Sequence, residues 1–349
     1  MSTYTKTKEK LSSFDRVMAA FEHRQPDHVP VMPFVTEWCA RQVGYKFSEL
    51  MTSTQKHVYS QIYCVKKFGY DAVFDLQAIH AESEAMGSVL KIPEDDPPSL
   101  LIPAVQDYER DLPKLRIPNP WKDGRLPMIL KGIEALKDAC DGEIPVIGYV
   151  QGCWRHTCML RGSESALKDI VKKPRDLKEL MEIATSSLIV YGAAVADAGA
   201  DIVFVSDPFS SGDVISRKHF EEFIFPFLKQ EIMAIKGKKV KVILHICGDT
   251  NDRLDLMVKT GADAISIESK VDLAHAKRAI GDKACIMGNV NPMVLLMGSP
   301  EEVRKESRLC IKKAAENGGF ILASGCGVNA ATPAENIQAM IETVKCKKL

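Results

Sequence analysis

Eight short apolar runs, each bounded by Gly, Pro or Asp, recur along the 349 residues and leave few folds open. They are HVPVMPFV (28–35), DAVFDLQ (71–77), IPVIGYV (144–150), DIVFVSD (201–207), VKVILHIC (240–247), DAISIES (263–269), ACIMGNV (284–290) and FILASGC (320–326). Segments with helical spacing separate them, at 54–69, 125–140, 175–199, 216–236, 250–260, 272–281, 300–317 and 334–347. In 216–236, for instance, Phe220, Phe223, Ile224, Phe227 and Leu228 share one face of a helix. Strands this apolar have no wet side, so they belong in a parallel sheet covered by helices. Eight such repeats close naturally into a (β/α)8 barrel. An open doubly wound sheet would need a phosphate-binding glycine turn after its first strand, and FVTEWCARQVG offers none. The expected architecture is therefore α/β: a single-domain barrel over 14–349 behind a polar tail, 1–13. A helix capped near Ser13 forms an N-terminal extension, and 78–124 is a long Pro-rich excursion of the kind used as a lid or binding loop.

Charge and composition narrow the partners. Forty-six basic and 46 acidic residues cancel, so no global field draws the chain to nucleic acid or an anionic membrane. The longest apolar run, Leu188 to Ala196, falls well short of the roughly 18 residues of a membrane span. The start, MSTYTKTKEKLSS, has no apolar h-region, so a cytoplasmic location is expected. Ten cysteines in a chain this long are too sparse for a disulfide framework. Most should act as small buried hydrophobes, with one or two as ligands or nucleophiles.

In a barrel, chemistry sits at the C-terminal ends of the strands. The fifth run ends in His245-Ile246-Cys247-Gly248, and residues two apart on an extended segment leave on one face. An imidazole beside a thiolate suits Zn2+, and the eighth run brings Cys326, between glycines, to the same rim. Three protein ligands leave a fourth position open, as in catalytic zinc sites. The alternative is that the three are unrelated packing residues. Glu268 ends the sixth run and reads either as a fourth ligand, as a partner for His245, or as a helix cap. Asp207, followed by Pro208 and a Ser-Ser-Gly stretch, reads as substrate-facing and, with Glu268, is a catalytic candidate; Asn289 ends the seventh run and is expected to bind substrate. Trp154 and His156 follow the third run and are expected to shape a substrate pocket.

These residues fall within a wider resemblance. From about Phe14 to Val344 the chain resembles the uroporphyrinogen decarboxylase superfamily, in AFEHRQPDHVPVMP, GADIVFVSDPFSSGDVISRKHFEEFIFPFLKQEI, GNVNP and GCGVNAATPAENIQAMIETV. It is most similar to the zinc methyltransferase branch, with the H-x-C-G of His245, Cys247 and Gly248 and a later cysteine, Cys326. The resemblance implies a barrel, a Zn2+ that activates a methyl donor or acceptor, and a corrinoid (cobalamin) carried by a partner corrinoid protein. It implies a small-molecule substrate, either a thiol such as coenzyme M or a methyl donor such as a methoxylated aromatic. A homodimer, common among the decarboxylases, is also within what it implies. Two other readings are a tetrapyrrole decarboxylase and a non-catalytic tetrapyrrole-binding protein. The decarboxylases carry an R-Q-A-G-R-Y segment, whereas Thr36–Tyr45 lacks that double-arginine arrangement; cobalamin carriers show a D-x-H-x-x-G segment, also absent. The third-strand end, Gln-Gly-Cys-Trp-Arg-His, departs from the small, neutral stretch of the coenzyme M branch and leaves room for a different methyl substrate.

Overall fold

The protein was analysed as a computed structural model that describes residues 11–75 and 77–345. Seven parallel strands form one sheet: β1 (Val73–Asp75), β4 (Val146–Gln151), β5 (Ile202–Ser206), β6 (Lys241–His245), β7 (Ala264–Ser266), β8 (Cys285–Val290) and β9 (Phe320–Ser324), in that order. A separate antiparallel pair, β2 (Val89–Lys91) with β3 (Ser99–Ile102), lies in the Pro-rich excursion.

The first expected strand, 28–35, is reduced to one bridge, and it closes the barrel. Val31 bridges Leu322 of β9 in parallel. The Met32 N–H donates to the Leu322 carbonyl (2.8 Å), and the Leu322 N–H donates to Pro30 (2.9 Å). On the other side the Asp71 N–H, just before β1, donates to the Val31 carbonyl at 2.8 Å. Pro30 and Pro33 lack N–H donors, so the ladder cannot extend in either direction. Asp71 holds this seam: its carboxylate accepts from Val31 N–H and Ser13 and pairs with the buried Arg16 guanidinium at 2.7 Å.

The strands are buried along their length, as their composition requires, and the helices between them follow the expected spans closely. The segment 216–236 runs as Arg217–His219, a π-helical turn Phe220–Ile224, and Phe225–Lys236, where Pro226 interrupts the hydrogen-bond ladder. The first helix is Ser13–Phe21, capped by Ser12, so the expected tail gives way to helix at its end; residues 1–10 lie outside the described residues. The longest helix, Pro174–Asp197, spans 24 residues and is apolar enough by length to cross a membrane, yet buries one face of Leu, Met and Ala against β4 and Phe225–Lys236.

Two segments differ from expectation. Residues 78–124 are not one loop: they contain Ala81–Ala85, the hairpin and Tyr108–Asp111, packed on Leu160, Leu180 and Ala184 through Met86, Val105 and Tyr108. The stretch after β4 is a helix, Cys153–Arg161. Inside the barrel, Phe34, Phe74, Phe204 and His245 interlock with ring centroids 4.9 to 5.6 Å apart, so the interior is an aromatic plug with one imidazole at its upper end.

Candidate metal centre

His245 closes β6, and Cys247 follows two residues beyond it. Cys326 lies just past β9, where Ser324 and Gly325 bring the chain against the β7–β8 side: a Cβ on Gly325 would lie 2.8 Å from the Ser269 nitrogen. The three ligand atoms converge. His245 Nε2 is 3.2 Å from Cys247 Sγ, Cys247 Sγ is 3.5 Å from Cys326 Sγ, and all three lie within 4.8 Å of one another. They come from two strand ends 79 residues apart at the closest. Stacking on Phe204 and edge-on contact with Phe34 fix the His245 ring, and its Nδ1 meets Ser266 Oγ at 3.0 Å.

The donor chemistry fits a soft divalent cation. The two sulfurs lie close enough to oppose each other's ionisation state. The Cys247 thiol, then His245, hold Cys326 down to about 4, while the hydrogen bond to Cys326 and burial push Cys247 up. A cation that takes both as thiolates removes that conflict. Both cysteines are partly exposed, whereas the other described cysteines are buried, so only this pair opens to solvent among the described residues.

Glu268 is partly exposed at the same rim, but its carboxylate accepts the Ser269 hydroxyl (3.0 Å) and stands outside the three-residue cluster. Its charge acts on Cys247, raising it. The partner of His245 is Ser266 in place of the Glu268 expected as one option.

Four residues expected at the site are engaged in contacts within the fold. Asp207 is fully buried; its two carboxylate oxygens accept the N–H groups of Trp154 (3.0 Å) and Arg155 (2.8 Å). It therefore caps helix Cys153–Arg161 from the end of the neighbouring strand β5, with Glu231 accepting the Cys153 N–H at 2.9 Å. Burial raises Asp207 to about 7 against those hydrogen bonds. Trp154 and His156 are fully buried; His156 sits between Ser83 (2.8 Å) and the Met86 sulfur (3.2 Å), so neither ring presents a surface to a ligand. Asn289 spends its amide hydrogens on the carbonyls of Glu268 (3.1 Å) and Val271 (2.9 Å), pinning the loop after β7.

Two residues that sequence reasoning passed over stand near the cluster. Glu37 begins helix Glu37–Gln42; burial raises its carboxyl, the Thr36 hydroxyl opposes that, and the charge of Cys326 adds to it. It borders a recess of about 220 Å³ with Arg41, Tyr45, Phe47, Asp95 and Ala330, roofed in part by the hairpin tip. Arg155 is the one partly exposed residue at the start of helix Cys153–Arg161, and its charge favours the Cys247 thiolate.

Comparison with known proteins agrees with this frame. The family model described as uroporphyrinogen decarboxylase (URO-D) matches residues 12–346. The methylcobamide:CoM methyltransferase MtaA of Methanosarcina barkeri is 29% identical over 333 residues, covering 93% of this chain and 95% of that protein. The methylcobamide:CoM methyltransferase MtbA of Methanosarcina mazei is 32% identical over 280 residues, covering 79% and 80%. A uroporphyrinogen decarboxylase of Chlorobium phaeovibrioides is 28% identical over 291 residues, covering 80% and 81%. Among solved structures, a methyltransferase from Methanosarcina mazei superposes with a TM-score of 0.88 at 26% identity, covering 96% of this chain and 99% of that one. The chain belongs to the uroporphyrinogen decarboxylase family, and it matches methylcobamide:CoM methyltransferases of that family along most of their length.

Proposed function

We propose that this chain is a zinc-dependent methyltransferase that moves a methyl group between a small molecule and the cobalt of a corrinoid held by a partner protein. The observation that carries the reading is the convergence of His245, Cys247 and Cys326 within 4.8 Å at the C-terminal rim, in a chain that matches methylcobamide:CoM methyltransferases over 93% of its length. Those three residues would hold the ion. When bound, zinc supplies Lewis acidity: it makes a thiol a nucleophile at neutral pH, or polarises a methyl ether oxygen.

The residues around it do the rest. Ser266 and the aromatic rings fix His245 so that Nε2 faces the sulfurs. The plug of Phe34, Phe74 and Phe204 closes the barrel below the site and keeps water from reaching it from that side. Arg155 and Glu268 place opposite charges near the rim: the first favours the Cys247 thiolate and the second opposes it. For a thiol substrate, an ion held by His245, Cys247 and Cys326 would favour the thiolate, its proton released to solvent, and so would supply a sulfur nucleophile for the methyl group that the corrinoid carries.

The test is to incubate the metal-loaded protein with methylcob(III)alamin, or with cob(I)alamin, and a panel of thiols and methoxyarenes, and to follow the cobalt spectrum. Conversion between methylcob(III)alamin and cob(I)alamin that is lost in Cys247→Ala supports the reading. Turnover of uroporphyrinogen by metal-free protein, with no spectral change across the panel, would replace it.

A further inference from the structure

Arg155 is a half-buried cation that, among the described residues, has no carboxylate within hydrogen-bond distance of its guanidinium. Its own N–H is one of the two that Asp207 caps at the start of helix Cys153–Arg161, and Gly152 fits only because it has no side chain: a Cβ there would meet Asp207 at 2.4 Å. The guanidinium turns inward, where Nη1 donates to the Tyr149 hydroxyl and to Ser206 Oγ (3.4 Å), and Nη2 lies 3.3 Å from His80 Nε2. The Nδ1–H of His80 is directed at Gln151 Oε1, 2.8 Å away, so Nε2 is the acceptor. All these partners are neutral. Arg155 Nε is buried and has no partner.

The nearest carboxylates are committed elsewhere. Glu82 takes the Gln151 N–H and amide, each at 3.2 Å, and Asp207 takes two backbone N–H groups. Among the described residues no carboxylate pairs with Arg155. Partial burial of a charge without a counter-ion is costly, and a guanidinium matches carboxylate or sulfonate in two-pronged fashion.

Its position relates that anion to the metal centre. Ser206, which Arg155 touches, pairs in register with His245 on the adjacent strand. Residues in register leave the sheet on the same face, and adjacent strands lie about 4.8 Å apart. The guanidinium thus stands roughly one strand from the ligand imidazole, within reach of a short molecule that also touches the metal position.

We propose that Arg155 is the specificity-determining contact for the anionic end, carboxylate or sulfonate, of the small molecule whose other end exchanges the methyl group. This rests on the metal-centre reading above. Asp207, Tyr149, Ser206 and His80 are positioning residues for that guanidinium.

The test measures binding as well as turnover. Calorimetric titration of the zinc-loaded protein with 3-mercaptopropionate, 2-mercaptoethanesulfonate, neutral 2-mercaptoethanol and cationic cysteamine should show the two anions binding about 10-fold tighter or more than 2-mercaptoethanol, the worth of one charge-assisted pair. Arg155→Gln should erase that preference at unchanged zinc content, Arg155→Lys should keep part of it, and Arg155→Glu should invert it toward cysteamine. In the metal-free protein, ethanesulfonate should bind saturably to wild type and not to Arg155→Gln. Anion preference that survives in Arg155→Gln, or wild type with no charge preference and no ethanesulfonate binding, overturns the assignment while leaving the metal centre standing. Failure of every thiol to bind, with zinc not retained, would count against the metal-centre reading; the ethanesulfonate arm still decides the role of Arg155.

Discussion

His245 Nδ1 and Ser266 Oγ lie 3.0 Å apart, and the two residues pair in register on neighbouring strands. The hydroxyl is therefore placed by the sheet itself, and it turns the opposite ring nitrogen to the sulfurs. Ser266→Ala removes no ligand, yet it should weaken zinc retention by about 10- to 100-fold, as loss of a group that orients a metal-bound imidazole does. Competition against a graded series of chelators measures it. Retention equal to wild type would show that the aromatic plug alone orients the ring.

Asp207 holds the helix that carries Arg155. Asp207→Asn keeps the shape but loses one of two acceptors, so stability should fall by about 1–3 kcal/mol. Gly152→Ala should cost a similar amount by driving a Cβ into Asp207. Denaturant unfolding reads both, and a cost near zero in Asp207→Asn would mean that the two N–H groups find other acceptors. The variants should also share a raised KM for anionic substrates, since both loosen the same helix start.

The pH dependence follows from two buried imidazoles. Burial holds His80 and His156 down to about 3, with the Arg155 charge adding to this at His80. An unfolded histidine titrates near 6.5. Each ring therefore contributes stability that is fully present above pH 6.5 and is lost as pH falls toward 3, because only the unfolded chain takes up the proton. Two buried carboxyls run the opposite way. Burial raises Glu82 and Asp207 to about 7, so their contribution is fully present below the unfolded carboxyl range and fades as pH rises through 7. Between about 4.5 and 6.5 the two trends oppose each other; below 4.5 the histidine loss is joined by that of carboxylates held low by ion pairs, such as Asp255 beside Arg217. Urea unfolding of wild type and His156→Gln from pH 6.5 to 3.5 should show a shallower loss in the variant. Parallel curves would mean that His156 is protonated in the fold.

The parts of this protein written in local pattern were legible in its sequence. The alternation of apolar runs and helical segments carried the barrel, and H-x-C at one strand end with Cys326 at another pointed to the three side chains that converge. Long-range contacts decided the rest. Helix Cys153–Arg161 has no side-chain cap of its own; Asp207, some fifty residues on, and Glu231 satisfy its first N–H groups, so no helix is expected there from local pattern. For the same reason Asp207 looked free to meet substrate. The hairpin was masked by PEDDPPSLLIP, whose prolines and acids suggest irregular chain, and the strand at Val31 was shortened by Pro30 and Pro33. Arg155 and Ser266 gained meaning only from strand register: one touches the residue opposite His245, and the other is opposite His245.

Cysteine replacement separates ligand from neighbour. Cys326→Ala should retain less than about a tenth of the zinc of wild type, since two donors hold zinc far more weakly than three. Cys153→Ala and Cys158→Ala, both fully buried within the helix after β4, should retain it all, at a cost of about 1–2 kcal/mol in stability for the emptied volume. Metal analysis after gel filtration checks the series, and equal zinc in Cys326→Ala and wild type would remove Cys326 from the centre.

X-ray absorption at the zinc edge of purified protein reads the coordination shell directly. The expected spectrum has two sulfurs at about 2.3 Å and one imidazole nitrogen at about 2.0–2.1 Å, with a light oxygen or nitrogen scatterer replaced by a third sulfur when a thiol is added. A shell of oxygen and nitrogen alone, or no zinc bound after reconstitution, would contradict a centre built on His245, Cys247 and Cys326.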